Sequence, residues 1–503
     1  MNHISRREFL FGAAAFGLGG WRLFAMPPSW KHGGKPNLVL GVVSDTHLRT
    51  RHGASGKLGH NWPDKYFAAA LEYFKARNVD GVIHCGDFAH RGQVEEMQFH
   101  ADVWNRVFPG NLAPDGHEVA KLFITGNHDK DGGHYGDFVK NCYPDEAERA
   151  KHVLATDMAA NWQRIWGEKY EKVWHKAVKG YHFFGVNYEM MDDSAAPAEF
   201  RRLAKGCELA NPAKPFFVMT HRRPGAPLRK TAVRSGNAVC LFGHNHCSAS
   251  NWNIVSLYYG RLPCIQVPSC EPRGSGAFIH DEYITAAKLE RKTDKSLIGM
   301  SRQGYVVSLY DDMMVIERRE FGEGGSLGAD WVMPFNWGTG NGEWGTGKHP
   351  FSKDELKKVI GEPQFKRGAA LEICNCGNVK LCNYENMEMK EISQSHNPTI
   401  SQSHNLTIKI PLADGNPDSR VYAYEIEVTG DEGTPKLHKA VYAAGVNMGI
   451  GHEPNGGVTT LEIPKSELPP GKELTFAVRP LSSLGTAGKA IAAKCKNEGV
   501  AEK

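Results

Sequence analysis

Five short runs at 38–44, 79–85, 121–125, 216–220 and 238–242 are almost continuously apolar. A strand with one face in water alternates apolar and polar residues, so runs without alternation belong to strands buried on both faces. Amphipathic stretches at 64–78 and 93–108 separate the first three runs and read as helices. Strands alternating with helices predict an α/β domain in which the buried strands are parallel and covered by helices.

At 503 residues the chain exceeds what one core usually organises, so a second folded domain is expected. Residues 304–321 alternate about Asp311-Asp312 and predict a hairpin that closes the first domain near residue 335. Residues 336–368, dense in Gly and Trp at their start, read as a linker. From 369 to 493 short alternating strands separated by Gly, Pro, Asn and Asp predict a small all-β sandwich, with 494–503 as a tail. Residues 473–489 resemble the last two strands and hairpin of a fibronectin type III domain. An eight-residue repeat at 392–399 and 400–407 sets His396 and His404 eight apart, which a local duplication explains without chemistry.

Hydrophobic residues make up 41% and charged residues 23%, a globular composition that excludes a disordered or fibrous chain. The net charge of +4 is spread without a basic block, so nucleic acid is not an expected partner. The eleven cysteines lack zinc-finger spacing, and only Cys374, Cys376 and Cys382 cluster.

Near the amino terminus, Ser5-Arg6-Arg7-Glu8-Phe9-Leu10 precedes an apolar stretch that runs to about Gly20. This layout resembles a twin-arginine export signal, which implies passage through the twin-arginine machinery to a periplasmic or extracellular location. The apolar stretch is too short to span a bilayer, so no integral span is expected in the mature form. Cleavage after Ala25 meets the bulky Leu23 at the −3 position, and an uncleaved signal would tether the protein to the membrane. Residues 26–36 then link the signal to the first domain.

Each of the five apolar runs ends in residues that ligate metals: Asp45-x-His47, Gly86-Asp87, Gly126-Asn127-His128-Asp129, His221, and Gly243-His244-Asn245-His246. In open α/β sheets, functional groups gather beyond the carboxyl ends of strands, so five such ends converge on one cleft. Imidazole mixed with carboxylate suits Mn, Fe or Zn better than Ca or Mg.

In order and type these residues resemble the calcineurin-like metallophosphoesterases over 37–335. The resemblance implies a four-layer α/β/β/α sandwich in which two packed sheets are flanked by helices. It further implies two divalent or trivalent transition-metal ions. Asp45, His47, Asp87 and His246 would hold the first and Asp87, Asn127, His221 and His244 the second, with Asp87 as bridge. A metal-bridging hydroxide would attack the phosphorus of a phosphate ester. His128 would protonate the leaving group, Asp129 would orient the His128 ring, and Asn127, His128 and Arg222, with Arg223 beside it, would meet the substrate phosphate.

His90 stands three residues after Asp87, where purple acid phosphatases carry their iron-binding tyrosine, and it has no assigned role. His84 and His134 likewise have none. The substrate is expected to be a small-molecule or envelope phosphoester, with walls drawn from residues 129–221 and 261–295. A phosphodiesterase or nucleotidase of narrow specificity, or a silent metal-binding scaffold, are the alternatives.

Overall fold

A computed structural model of the chain describes residues 34–270, 288–289, 302–334 and 362–496, except for short stretches within those spans. The export signal, most of the 336–368 linker, the repeat as far as residue 404, His134, Cys376 and most of 261–295 beyond Cys270 lie outside the described residues.

Strand Leu38–Val43 runs parallel to Gly81–His84, which runs parallel to Ala120–Phe123. On its other side Gln303–Leu309 pairs antiparallel and turns back at Asp311-Asp312 into Met313–Glu320. Trp331–Pro334 adds to that strand and Gly325–Ser326 completes the seven-stranded sheet. A second, six-stranded sheet contains Phe216–Thr220 and Ala238–Phe242, again parallel.

The continuous apolarity of these strands follows from two coverings. Leu40, Val42, Ile83 and Leu122 of the first sheet face Phe183, Phe217, Met219, Val239 and Leu241 of the second in one buried cluster. The alternate residues Val82 and Phe123 point outward, under helices Lys65–Ala76 and Val94–Val107, where Phe74, Met97 and Trp104 cover them. Val218 and Cys240 lie under helices Ala196–Ala204 and Ala226–Ser235 through Phe200, Leu228 and Ala232. Each such side chain taken fully out of water contributes about 1.5–3 kcal/mol. The result is the expected α/β/β/α arrangement.

The 129–221 stretch does more than wall the cleft. Its hairpin, Val173–Val178 and Tyr181–Val186, supplies two of the six strands of the second sheet, and Tyr181–Val186 lies parallel to Phe216–Thr220. Lys179 and Gly180 both take positive φ (48° and 78°), as a two-residue hairpin turn matched to strand twist requires.

The C-terminal part is all-β. Glu372–Cys374, Asn405–Ile410 and Thr459–Pro464 form one antiparallel sheet, and Val421–Thr429, Leu437–Tyr442, Glu473–Ser482 and Ile491–Lys496 build the antiparallel centre of another. Their alternating inward residues, among them Ile373, Ile408, Ile426, Leu461, Phe476 and Val478, share one core. Cys374 is a free thiol, and Cys495 is disulfide-bonded. Ser250 Oγ donates to Val446 O at 2.9 Å and Ile450 N to Ser326 O at 2.8 Å, which ties the two parts together. Among the described residues, no helix is long and apolar enough to cross a membrane.

Candidate metal centre

The chain leaves three of the central strands, Leu38–Val43, Gly81–His84 and Ala238–Phe242, through a sharp bend. Asp45, His47, Asp87, His244 and His246 all have positive φ (52°, 45°, 58°, 75° and 49°), five of the eight such non-glycine residues in the described structure. A left-handed residue with a Cβ costs about 1–2 kcal/mol, so this backbone stands only because its surroundings fix it. Asp45 N, His47 N and Leu48 N donate to Gly86 O, Asp87 O and Phe88 O at 3.0, 3.1 and 2.9 Å, lacing the first loop to the second. Below them Thr46 Oγ1 lies 3.0 Å from His84 Nε2 and 2.7 Å from His100 Nε2, so the unassigned His84 braces the loop from beneath.

Glycine is required where the loops touch. A Cβ on Gly126 would stand 2.1 Å from Asp87 Oδ1, and one on Gly243 would stand 2.5 Å from Asp45 Oδ2.

Two donor sets result. In the first, His246 Nε2 lies 3.4 Å and His47 Nε2 3.8 Å from Asp45 Oδ1, and the two nitrogens are 3.0 Å apart. In the second, His221 Nε2 lies 2.9 Å from Asn127 Oδ1, 3.2 Å from Asp87 Oδ2 and 3.3 Å from His244 Nδ1. Asp87 Oδ2 is also 3.5 Å from His47 Nε2, so a single carboxylate oxygen faces both sets.

The remaining atoms of these side chains are occupied in ways that aim the converging ones. Asp45 Oδ2 accepts from Ser44 Oγ at 2.6 Å and His244 N at 2.9 Å, and Asp87 Oδ1 accepts from His128 N at 2.8 Å. His221 Nδ1 donates to Cys85 O at 2.7 Å, which leaves the Nε2 lone pair directed inward.

Burial would raise the Asp45 carboxyl, yet contact with His246 holds it well below the usual carboxylate range. Burial would lower the His221 imidazole, yet the charge of Asp87 lifts it to about 9. Burial and the charges of His246 and His128 push His47 far down. Around His221 Nε2, two oxygens and a nitrogen converge on a point that one proton cannot satisfy and a cation can, and mixed N and O donors fit a transition-metal ion.

His128 starts from the helical turn Asn127–Asp131, beside the pair of donor sets. Its ring stands perpendicular to His47 at 4.6 Å, and Nδ1 donates to His90 O at 2.7 Å. Asp129 does not orient that ring. It is fully buried and points back into the adjoining loop, where Oδ2 accepts from Gly126 N (2.8 Å) and Asp87 N (2.9 Å) and Oδ1 from Ala89 N (2.7 Å). Burial and the charge of Asp87 push its carboxyl up to about 7.

Asp129→Ala strands three buried N–H groups, each worth about 1–3 kcal/mol when left unsatisfied, and is expected to lower unfolding stability by about 3 kcal/mol or more. Denaturant titration checks this. Lost activity at unchanged stability and metal content would restore the orienting role.

The His90 ring packs almost parallel to His128 at 5.5 Å, and its nitrogens come close enough to those of His47 and His128 to share an ion. Of the arginine pair, Arg222 lies beside the centre and Arg223 does not. The Arg222 guanidinium sits 4.7 Å over the Tyr188 ring, itself 6.0 Å from the His221 ring. Arg223 turns away to Tyr258 and Phe242. Lys130 Nζ lies 5.9 Å from the Tyr188 ring. Sequence reasoning missed Tyr188 and Lys130. Tyr188 follows Tyr181–Val186, and the Lys179-Gly180 turn between two apolar stretches was the signal that could have found that strand.

The signature of the family described as Calcineurin-like phosphoesterase matches residues 38–248, a span that contains every proposed ligand. No curated protein matches. Among solved structures, a conserved uncharacterized protein and predicted phosphoesterase from Streptococcus pneumoniae TIGR4 is 11% identical, covering 59% of this chain and 97% of its own, with a TM-score of 0.26. A purple acid phosphatase from yellow lupin (Lupinus luteus) seeds is 12% identical over 59% of this chain and 54% of its own, with a TM-score of 0.37. Vps29 complexed with zinc from Entamoeba histolytica is 9% identical over 59% of this chain and 100% of its own, with a TM-score of 0.27. Residues 38–248 thus match the calcineurin-like phosphoesterase family, and the chain has a metallophosphoesterase α/β fold joined to further C-terminal β-sheets.

Proposed function

We propose that this domain is a metal-dependent phosphoester hydrolase that works with two transition-metal ions. The observation that carries the reading is Asp87 Oδ2, which lies 3.5 Å from His47 Nε2 and 3.2 Å from His221 Nε2 and so belongs to both donor sets. Asp45, His47 and His246 would hold one ion, Asn127, His221 and His244 the other, and Asp87 both. When bound, such a pair supplies Lewis-acid charge that acidifies water and neutralises phosphate oxygens.

The chain's own residues supply the rest. Asp45, His47, Asp87 and His221 are at most 3% exposed, so charges meet there with little screening. His246 is one-fifth exposed and marks the open side of the centre. His128, fixed through Nδ1, presents Nε2 as the proton donor to the leaving oxygen. Arg222 Nε is buried without a hydrogen-bond partner, and the guanidinium fork matches a substrate phosphate.

Arg222→Ala is expected to lower kcat/KM by roughly 10- to 100-fold, the value of a hydrogen bond to a charged group, mainly through KM. Steady-state kinetics on a phosphomonoester read this, and an unchanged KM removes Arg222 from substrate binding.

The direct test of the activity is hydrolysis of para-nitrophenyl phosphate and of its bis-ester by protein stripped of metal and reloaded with Mn, Fe or Zn. Metal-dependent turnover supports the reading, and the ratio of the two rates separates monoester from diester preference. Two tightly bound metals without turnover on either ester or on nucleotides would leave the scaffold alternative.

The Arg6-Arg7 motif supports delivery to the cell envelope, where the substrate would be met. Changing both arginines to lysine is expected to retain the protein in the cytoplasm, as followed by fractionation, and unchanged export removes the twin-arginine route.

A further inference from the structure

A second place in the α/β domain gathers ligand-type side chains, and the proposed chemistry does not use it. His175 lies on Val173–Val178 and His182 on Tyr181–Val186, the two arms of one hairpin. Register opposes His175 to Phe184 and His182 to Ala177, so both imidazoles stand on one face, one diagonal step apart. That face is the outer side of the second sheet, and the chain leaving helix Ala196–Ala204 lays Cys207 against it. His182 precedes Val186, the catalytic end of its strand, by four residues, roughly 13 Å.

His175 Nε2 is 3.0 Å from His182 Nδ1 and 3.8 Å from Cys207 Sγ, and the three atoms all lie within 4.8 Å of one another. Tetrahedral zinc, with bonds of about 2.0–2.1 Å to nitrogen and 2.3 Å to sulfur, separates its N–N and N–S donors by about 3.3 and 3.5 Å. The donors therefore already stand near a tetrahedral spacing. All three residues are half-buried, so an ion can reach them from solvent.

We propose that His175, His182 and Cys207 form a third metal site for a borderline divalent cation of the zinc class, distinct from the catalytic pair. Burial keeps both imidazoles below their ordinary pKa, so their lone pairs are available at neutral pH. Burial also raises the Cys207 thiol, so binding displaces its proton to solvent as the sulfur–metal bond forms. A fourth position is left for water, as in sites with three protein ligands. Val173–Val178 is the edge strand of its sheet, and an ion here pins that edge to the segment after the helix.

The test is cobalt(II) titration of the mature full-length protein. Thiolate bound to cobalt gives a near-ultraviolet charge-transfer absorption that the nitrogen and oxygen donors of the catalytic centre cannot give. The expected result is this band, with a third equivalent of metal. Cys207→Ser should abolish the band and that equivalent while leaving phosphoesterase activity unchanged, and His182→Gln should weaken the same band. Absence of the band in the unaltered protein, or its survival in both variants, overturns the proposal. Circular dichroism on both variants separates loss of the site from loss of the fold.

Discussion

Asp87→Asn is expected to abolish metal-dependent phosphoester hydrolysis, by about 10⁴-fold or more, the scale seen when one member of a catalytic unit is removed. The reason lies in what each carboxylate oxygen does. Oδ1 accepts the His128 N–H and Oδ2 faces the nitrogens of His47 and His221. An amide offers one acceptor and one donor and is wrong in either orientation. With NH₂ toward the histidines it takes up the lone pairs that should ligate, and with NH₂ toward His128 it sets donor against donor. The shared negative charge is lost as well, and two cations bound by these donor sets would depend on it. Measured in a Cys207→Ser background, so that the hairpin site adds no metal, bound metal should fall below two equivalents in elemental analysis, with circular dichroism unchanged. Two retained equivalents and full turnover would remove Asp87 from the bridging position and, with it, the main support for the proposed reaction.

What the sequence disclosed and what it hid divide along physical lines. Burial on both faces leaves a compositional mark, so the five central strands and the two helices between the first three were legible to within two residues. Parallel strands put their carboxyl ends on one side, so the residues of the two donor sets could be collected from strand ends alone. The edge hairpin 173–186 carries His and Lys among its apolar residues because an edge strand is only partly covered, and it lacks the signature of its neighbours. Its last strand brings Tyr188 to the centre, so that residue was hidden too.

Adjacency misled twice. His128 and Asp129 are consecutive on a helical turn, where neighbours diverge by about 100°, so one faces the cleft while the other points back to the 86–89 loop. Arg222 and Arg223 are consecutive after a strand and point apart. The five left-handed residues of the donor sets are a third kind of hidden feature. Asp and His tolerate positive φ better than most side chains, but only the cross-loop hydrogen bonds determine that they adopt it.

His128→Ala is expected to retain both metals and the fold and to lose about 10²- to 10⁴-fold in turnover of esters whose leaving group needs a proton. None of the close contacts that define the two donor sets uses the His128 side chain, and the backbone N–H that supports Asp87 survives the substitution. What disappears is an imidazole whose Nδ1–H is tied to His90 O, which leaves Nε2 as the atom that would carry the transferable proton in the imidazolium form. Para-nitrophenolate leaves without protonation, so the nitrophenyl ester should suffer much less than an alkyl phosphate measured beside it. A uniform loss on both esters would mean that His128 stabilises phosphate charge rather than donating a proton. Full activity with metal retained would place the leaving group away from His128, and His90, stacked on that ring at 5.5 Å, would be the next side chain to replace.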